Sequence, residues 1–499
     1  MCILYERRSH IRARYKKTRW LKTILGHDRA QHEAAAIDRA QREGAANGLL
    51  REERYCEALR ASFAILAIDP WSIEAILGTA RSLIGLGEYE HACATLSTGM
   101  EATDSSSHEM VELLAVAEQL KAQSTTGDFD QPLRAYFSSA AFRTESARAG
   151  GVSDGAFVFS EIPVPPMAEF LGEFQCAPST LHGRGLFATK DLEAGDLIFA
   201  TKPIAIARGG ASLKQAVLEK AKMPRVAELL QYLPGGNSAA ASLPVSLLHP
   251  SGNLEDYLDD DDGHEEAAGL ERVVDAYMAA GHKSVCPDNV LWPLLTLINH
   301  SCIPSVTLRV VGTTLFCRAA RDLKAGEELL VSYYGGSLKS RLTSLIWPSR
   351  PEDIIVCKCR KCELETKIPV LYPYPGFGKW IQRDDVERMC LMEEFVLHND
   401  FSSEDKQVVR SGFARHYYTG GRPCVYVRVP TAEVVMEAVL RYGCTGGFNS
   451  CLGLQSRLLR HATDKAAARE LLLQSCITHF GQALARELLV RVEYGLGHF

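Results

Sequence analysis

One β-type phrase is written twice in this chain. "GRGLFATKDLEAGDLIFATKPIAIA" and "TLFCRAARDLKAGEELLVSYY" share a plan in which short alternating segments flank a turn, with Gly195 in the first and Gly326 in the second. Both read as strands joined by tight turns. About a hundred residues separate them, including "LPGGNSAAASLP" and "EDYLDDDDGHEE". The chain therefore has to build a β-rich region around an insertion, placed at about 208–288, with loop-like or disordered parts. The acidic run within it reads as solvated surface, with attraction of a basic peptide as the alternative.

At 499 residues the chain is too long for one core and implies two to four domains. With 46% apolar residues, 23% charged and a formal net charge of −6, it has the composition of a soluble globular protein. That charge excludes a polyanion binder acting through its whole surface. No uninterrupted apolar run reaches the roughly 18 residues of a membrane helix. The fifteen cysteines are mostly scattered, as expected of reduced thiols in an intracellular protein, nuclear or cytoplasmic. One group of three is the exception.

The first 44 residues form a basic arm, with Arg7, Arg8, Arg12, Arg14, Lys16, Lys17, Arg19 and Lys22 facing Glu6. A nuclear signal, a weak nucleic-acid contact, a presequence and a plain solvated arm all fit it. From 45 to 121, Tyr55 aligns with Tyr89 and Ala58 with Ala92 at the 34-residue spacing of tetratricopeptide helix pairs. Pro70 ends one helix, and a helix over 106–123 would cap the stack. Two unrelated amphipathic hairpins are the competing explanation. Residues 122–169 lose periodicity and read as a linker. Residues 367–499 regain it in "AEVVMEAVLRYG" and "KAAARELLLQSCITHFGQALARELLVRV", which predicts a helical C-terminal region.

The chemistry-bearing residues lie at the second end of the β-rich region. "LINHSCIPS", residues 297–305, follows the apolar run Val290, Leu291, Trp292, Leu294, Leu295, Leu297 and Ile298, so Asn299, His300 and Cys302 sit where the chain enters its core. Gly183 and Gly185 flank Arg184 ahead of a strand, which lets backbone approach a ligand or simply forms a turn. Cys357, Cys359 and Cys362 form C-x-C-x-x-C. Three thiolates this close imply zinc with one ligand still to be found, or else redox-active or reduced thiols.

"GRGLFATKDLEAGD", "INHSCIPS", "GEELLVSYY" and "CKCRKC", in this order, resemble a SET-domain protein methyltransferase. The likeness is to the SET and MYND class and to fungal proteins that place tetratricopeptide repeats before a SET domain. It implies an α+β architecture: helical repeats, a pseudo-knotted SET domain over 170–337, a zinc-binding post-SET segment over 338–366 and a helical end. A MYND finger is not evident, since residues 200–285 contain no cysteine.

By this resemblance the cofactor is S-adenosylmethionine, held by Gly183, Arg184, Gly185, Asn299, His300 and Tyr333. The substrate is a lysine-bearing protein, Tyr333 lies beside the methyl transfer, and Cys302 completes a Zn2+ site with Cys357, Cys359 and Cys362. A protein partner is expected on the helical repeats. Ser305 departs from the family's usual Asn, and "IWPSRPEDIIV" lengthens the connection to the cysteines. Weakened hydrogen bonding at Ser305 is the expectation that favours the alternative function, an adaptor with a weak or inactive SET domain.

Overall fold

The computed structural model describes residues 29–103, 107–139, 164–207, 212–236, 243–250, 252–257, 271–276, 290–333, 357–367, 393–394, 396–414, 430–443 and 448–493. The basic stretch before residue 29, the acidic run from Asp259, Tyr334 and the connection to the C-x-C motif lie outside them. The chain divides into two compact units, Met1–Ala122 with Pro250–Asp261, and Gln123–His249 with Asp262–Phe499. No helix among the described residues is long and apolar enough to cross a membrane.

The first unit is built of antiparallel-type helical hairpins: α1 (Arg29–Arg51), α2 (Tyr55–Ile68), α3 (Ile73–Gly85), α4 (Tyr89–Thr103) and α5 (His108–Thr126). Each of α1 to α3 packs on the next. The aligned tyrosines open α2 and α4, and Ala58 and Ala92 are fully buried. Small residues set the spacing: a β-carbon on Gly85 would collide with the Tyr55 ring, and one on Gly99 would lie 2.7 Å from Ile76. Met110 of α5 closes the cluster of Ile76, Leu77, Ala80 and Leu96. The hairpin therefore starts earlier than expected, because α1 begins at Arg29, inside the supposed arm. Its alanine-rich sequence is a strong helix former in spite of weak amphipathicity.

Within this unit the Glu88 carboxylate, 5% exposed, accepts hydrogen bonds from the Gly252 N–H at 2.8 Å and the Tyr257 hydroxyl at 2.9 Å. Part of the insertion thus belongs to the helical unit.

In the second unit, α6 (Asp130–Ser138) occupies what was read as linker. Phe129, Leu133, Tyr136 and Phe137 bury one face of it, a pattern too short to stand out in sequence. Part of the insertion is helical. It contains α7 (Leu213–Lys220), started by a capping box between Ser212 and Gln215, and α8 (Pro224–Gln231) with Pro at its first turn. Strands β5 (Ala205–Ile206) and β6 (Val290–Leu291) pair antiparallel at its two ends.

The main sheet runs β1-β4-β9-β8, all antiparallel, from β1 (Phe170–Leu171), β4 (Leu197–Thr201), β8 (Val306–Val311) and β9 (Thr314–Ala319). Strands β2 (Phe174–Pro178) and β3 (Arg184–Ala188) form a hairpin. The repeated phrase pairs with itself. Leu192 and Leu323 exchange backbone hydrogen bonds of 2.9 Å in both directions, and Gly195 and Gly326 turn with φ of +95° and +86°.

The C-terminal region is helical as expected: α9 (Arg360–Thr366), α10 (Ser403–Phe413), α11 (Ala432–Tyr442), α12 (Phe448–His461), α13 (Lys465–Phe480) and α14 (Gln482–Glu493). Gly481, at φ +83°, divides the long periodic run into α13 and α14. Helix α13 packs on β8 and β9, where Phe316, Val311 and Ala200 join the helical core. The Arg309 guanidinium lies 4.3 Å from the Phe480 ring centre in the same contact.

Candidate active site

The apolar run before "NHSC" is buried throughout, with Trp292, Leu294, Leu295 and Ile298 at 0% exposure. It carries β7 (Asn299–His300) into the interior, where it pairs parallel with β10 (Leu330–Val331), Leu330 opposite Asn299 and Val331 opposite His300. The Ser301 N–H continues the ladder to the Val331 carbonyl at 3.1 Å. Leu329, Val331 and Tyr333 point inward while Leu330 and Ser332 are half-buried, which is the alternation expected from the sequence.

Tyr333 is held from three directions. Its hydroxyl donates to the Ile298 carbonyl at 2.5 Å, its N–H donates to His300 Nδ1 at 2.9 Å, and its ring centre lies 5.2 Å from that of His300.

The glycine loop lies alongside. Residues 179–183 close the β2–β3 hairpin, with the Ser179 N–H donating to the Gly183 carbonyl at 2.9 Å. Gly183 has φ +50°, and a β-carbon there would meet nothing within 4 Å, so the loop faces open space at this position. The Asn299 amide nitrogen donates to the carbonyls of His182 at 3.1 Å and Arg184 at 2.9 Å, and to Glu328 Oε1 at 2.7 Å. Ser179 Oγ donates to the other Glu328 oxygen at 2.9 Å. Glu328 was not singled out from sequence. Its doubled position in "GEELL" was the available signal. The Arg184 side chain turns away to the Tyr232 carbonyl.

Ser305 is hydrogen-bonded through both its side chain and its main chain. It is 1% exposed, its hydroxyl donates to the Glu328 carbonyl at 3.0 Å and accepts from the Leu330 N–H at 2.7 Å, and its N–H donates to the Leu330 carbonyl at 2.9 Å. A serine here ties the loop after "NHSC" to β10.

The four cysteines converge. The sulfurs of Cys302, Cys357, Cys359 and Cys362 all lie within 4.8 Å of one another, with Cys302 and Cys362 at 3.5 Å. Four thiolates at zinc–sulfur bonds of about 2.3 Å stand about 3.8 Å apart, so the donor set fits a tetrahedral zinc site in both chemistry and spacing. Hydrogen bonding, from Cys302 foremost, pulls the Cys359 thiol down to about 6 and the Cys357 thiol far below its ordinary range.

Helix α9 anchors the tail that carries three of these sulfurs. Arg360 makes a bidentate pair with Asp405 of α10 at 2.9 Å for each contact, and Lys361 is buried with its Nζ 3.4 Å from Ser411 Oγ. On the other side, a β-carbon on Gly443, at the end of α11, would press on Pro304 at 3.0 Å. All ten cysteines described are free thiols.

The SET domain family matches residues 183–334. N-lysine methyltransferase SMYD2-B of Xenopus laevis is 30% identical over 88 residues, which is 16% of this chain and 18% of that protein. Histone-lysine N-methyltransferase SMYD3 of Homo sapiens is 34% identical over 79 residues, 15% of this chain and 18% of that protein. N-lysine methyltransferase SMYD2 of Homo sapiens is 29% identical over 86 residues, 16% and 18% respectively. The chain thus matches 18% of the length of each of these relatives. Over residues 183–334 this chain carries a SET domain, and over stretches of 79 to 88 residues it is similar to the SMYD lysine methyltransferases.

Proposed function

We propose that this chain is an S-adenosylmethionine-dependent protein-lysine N-methyltransferase whose N-terminal helical hairpins, tetratricopeptide-like in spacing, bind a protein partner. The observation that carries this reading is Tyr333, fixed by its hydroxyl on the Ile298 carbonyl and by its N–H on His300.

The cofactor, when bound, supplies an electrophilic methyl group. The loop of Gly183, Arg184 and Gly185 offers its backbone on the open side at Gly183, and Asn299 fixes that backbone through the carbonyls on either side of Gly183. Cys302, Cys357, Cys359 and Cys362 hold Zn2+. Tyr333 aligns the lysine amine, because displacement at carbon requires the nucleophile opposite its leaving group. Such positioning is worth about 7–11 kcal/mol in favourable cases. The lysine has to arrive neutral, against an ordinary pKa of about 10.4. Burial around Tyr333 favours the uncharged amine.

The adaptor reading drew on Ser305, and the hydrogen bonds of Ser305 supply no reason for inactivity. The test is transfer of a labelled methyl group from S-adenosylmethionine to histones and cell-extract proteins, followed by hydrolysis to identify the labelled residue. Label on lysine supports the enzyme. Cofactor binding with no label on any protein supports the adaptor.

A further inference from the structure

We infer that His300 is a positioning residue that couples the cysteine cluster to Tyr333 through its two ring nitrogens; this rests on the metal and methyltransferase readings above. The sequence offered His300 as a cofactor contact. Its two ring nitrogens face Tyr333 and Cys302.

His300 is 8% exposed. Nδ1 lies 2.9 Å from the Tyr333 backbone nitrogen, which can only donate. Nδ1 therefore presents its lone pair, and the ring carries its proton on Nε2. That nitrogen lies 3.3 Å from Cys302 Sγ, within reach of an N–H···S hydrogen bond. The ring thus has one nitrogen accepting from Tyr333 and the other donating to sulfur. It is a two-ended strut.

The strut matters because the parallel pairing that joins these segments is only two residues long on each side. A shift of Cys302 is passed through the imidazole to the main chain of Tyr333, whose hydroxyl rests on the residue preceding β7. The strut also draws charge from the Cys302 thiolate, which sets how strongly that sulfur donates to a metal.

Two substitutions in the full-length protein separate the ends. His300→Asn keeps an amide oxygen near the Nδ1 position and loses the donor to sulfur. His300→Gln keeps an N–H near the Nε2 position and loses the acceptor for Tyr333. The proteins are loaded with Co2+, whose thiolate charge-transfer absorption reports the sulfurs directly.

In His300→Asn this absorption moves to longer wavelength, because the sulfur keeps its charge, and with Cys302 no longer held in position a chelator removes the metal about 10–100-fold more readily, the size of effect usual for a lost outer partner. In His300→Gln the absorption stays, while turnover at saturating substrate falls about tenfold or more with little change in KM. An unchanged spectrum and chelation rate in His300→Asn overturn the sulfur end, and full turnover in His300→Gln overturns the Tyr333 end. Wild-type protein that shows no cobalt–thiolate absorption fails the metal reading and the strut with it. Wild-type protein that shows the absorption but transfers no methyl group fails the enzyme reading alone, and the cobalt comparison then decides the strut.

Discussion

The Glu328 carboxylate occupies the space that any side chain at Gly185 would need. The same carboxylate accepts from Asn299 and Ser179, so the second glycine of the loop is required by a neighbour inside the protein.

Gly185→Ala should therefore push Glu328 off Asn299 and loosen the loop, with a stability loss of about 1–3 kcal/mol, as for other overpacked sites. Cofactor affinity should fall with it. Gly183→Ala meets no atom and carries only the strain of a left-handed backbone, about 1–2 kcal/mol. Denaturant unfolding and calorimetry on both variants check the pair. Greater loss of stability in Gly183→Ala would reverse the assignment.

Cys302→Ser should lower zinc content, because a hydroxyl replaces thiolate poorly on that metal. Cys317→Ala is the control, since Cys317 is buried in β9, apart from the cluster. Native mass spectrometry counts the metal, and full zinc in Cys302→Ser would remove Cys302 from the ligand set.

The cysteine cluster could be read in advance because chemistry and spacing coincided. C-x-C-x-x-C states its own geometry, and the resemblance supplied Cys302, which lies on the cluster. The 34-residue offset aligned Tyr55 with Tyr89, and these two residues open α2 and α4. What sequence hid was of two kinds. Short helices such as α6 and α7 bury too few residues to show a period, and contacts between distant segments leave no local trace. Glu328 beneath Gly185, Ser305 tying Leu330 and His300 standing between Cys302 and Tyr333 are all of the second kind. Gly481 was readable as a break, but the strong apolar period on both sides masked it.

Thiol reactivity should separate the cysteines after metal removal. Cys359, lowered to about 6 by hydrogen bonding from Cys302, is a thiolate at about pH 7.5. Burial pushes Cys476 up to about 12 and raises Cys317 as well, so both stay protonated. Iodoacetamide should label the cluster first. For the depressed Cys359, the favourable contribution to folding is present above its ordinary pKa and is lost as pH falls through about 6. Chelated protein should therefore lose stability on acidification from about pH 9 to 6. Mass spectrometry of the alkylated peptides and unfolding curves across that range check both statements. Equal labelling of Cys476 would contradict the first.

Glu88→Ala should free the Gly252–Tyr257 stretch within the helical unit. The carboxylate that accepts from the Gly252 N–H and the buried Tyr257 hydroxyl is lost, at about 1–3 kcal/mol for each buried hydrogen bond broken from one side. Hydrogen exchange at 252–257 should rise while exchange in α13 stays as it was. Unchanged protection at 252–257 would show that other contacts hold the segment.

The central claim is methyl transfer at Tyr333, and the most direct measurement is single-turnover transfer from labelled S-adenosylmethionine by wild type and Tyr333→Phe. The substitution keeps the buried ring and removes only the hydroxyl that rests on Ile298. The account predicts label on lysine with wild type, unchanged cofactor affinity in the variant, and a transfer rate lower by about 100-fold, the cost of a misplacement near 1 Å. Equal rates for the two proteins, or no lysine label from a wild type that binds the cofactor, would contradict it.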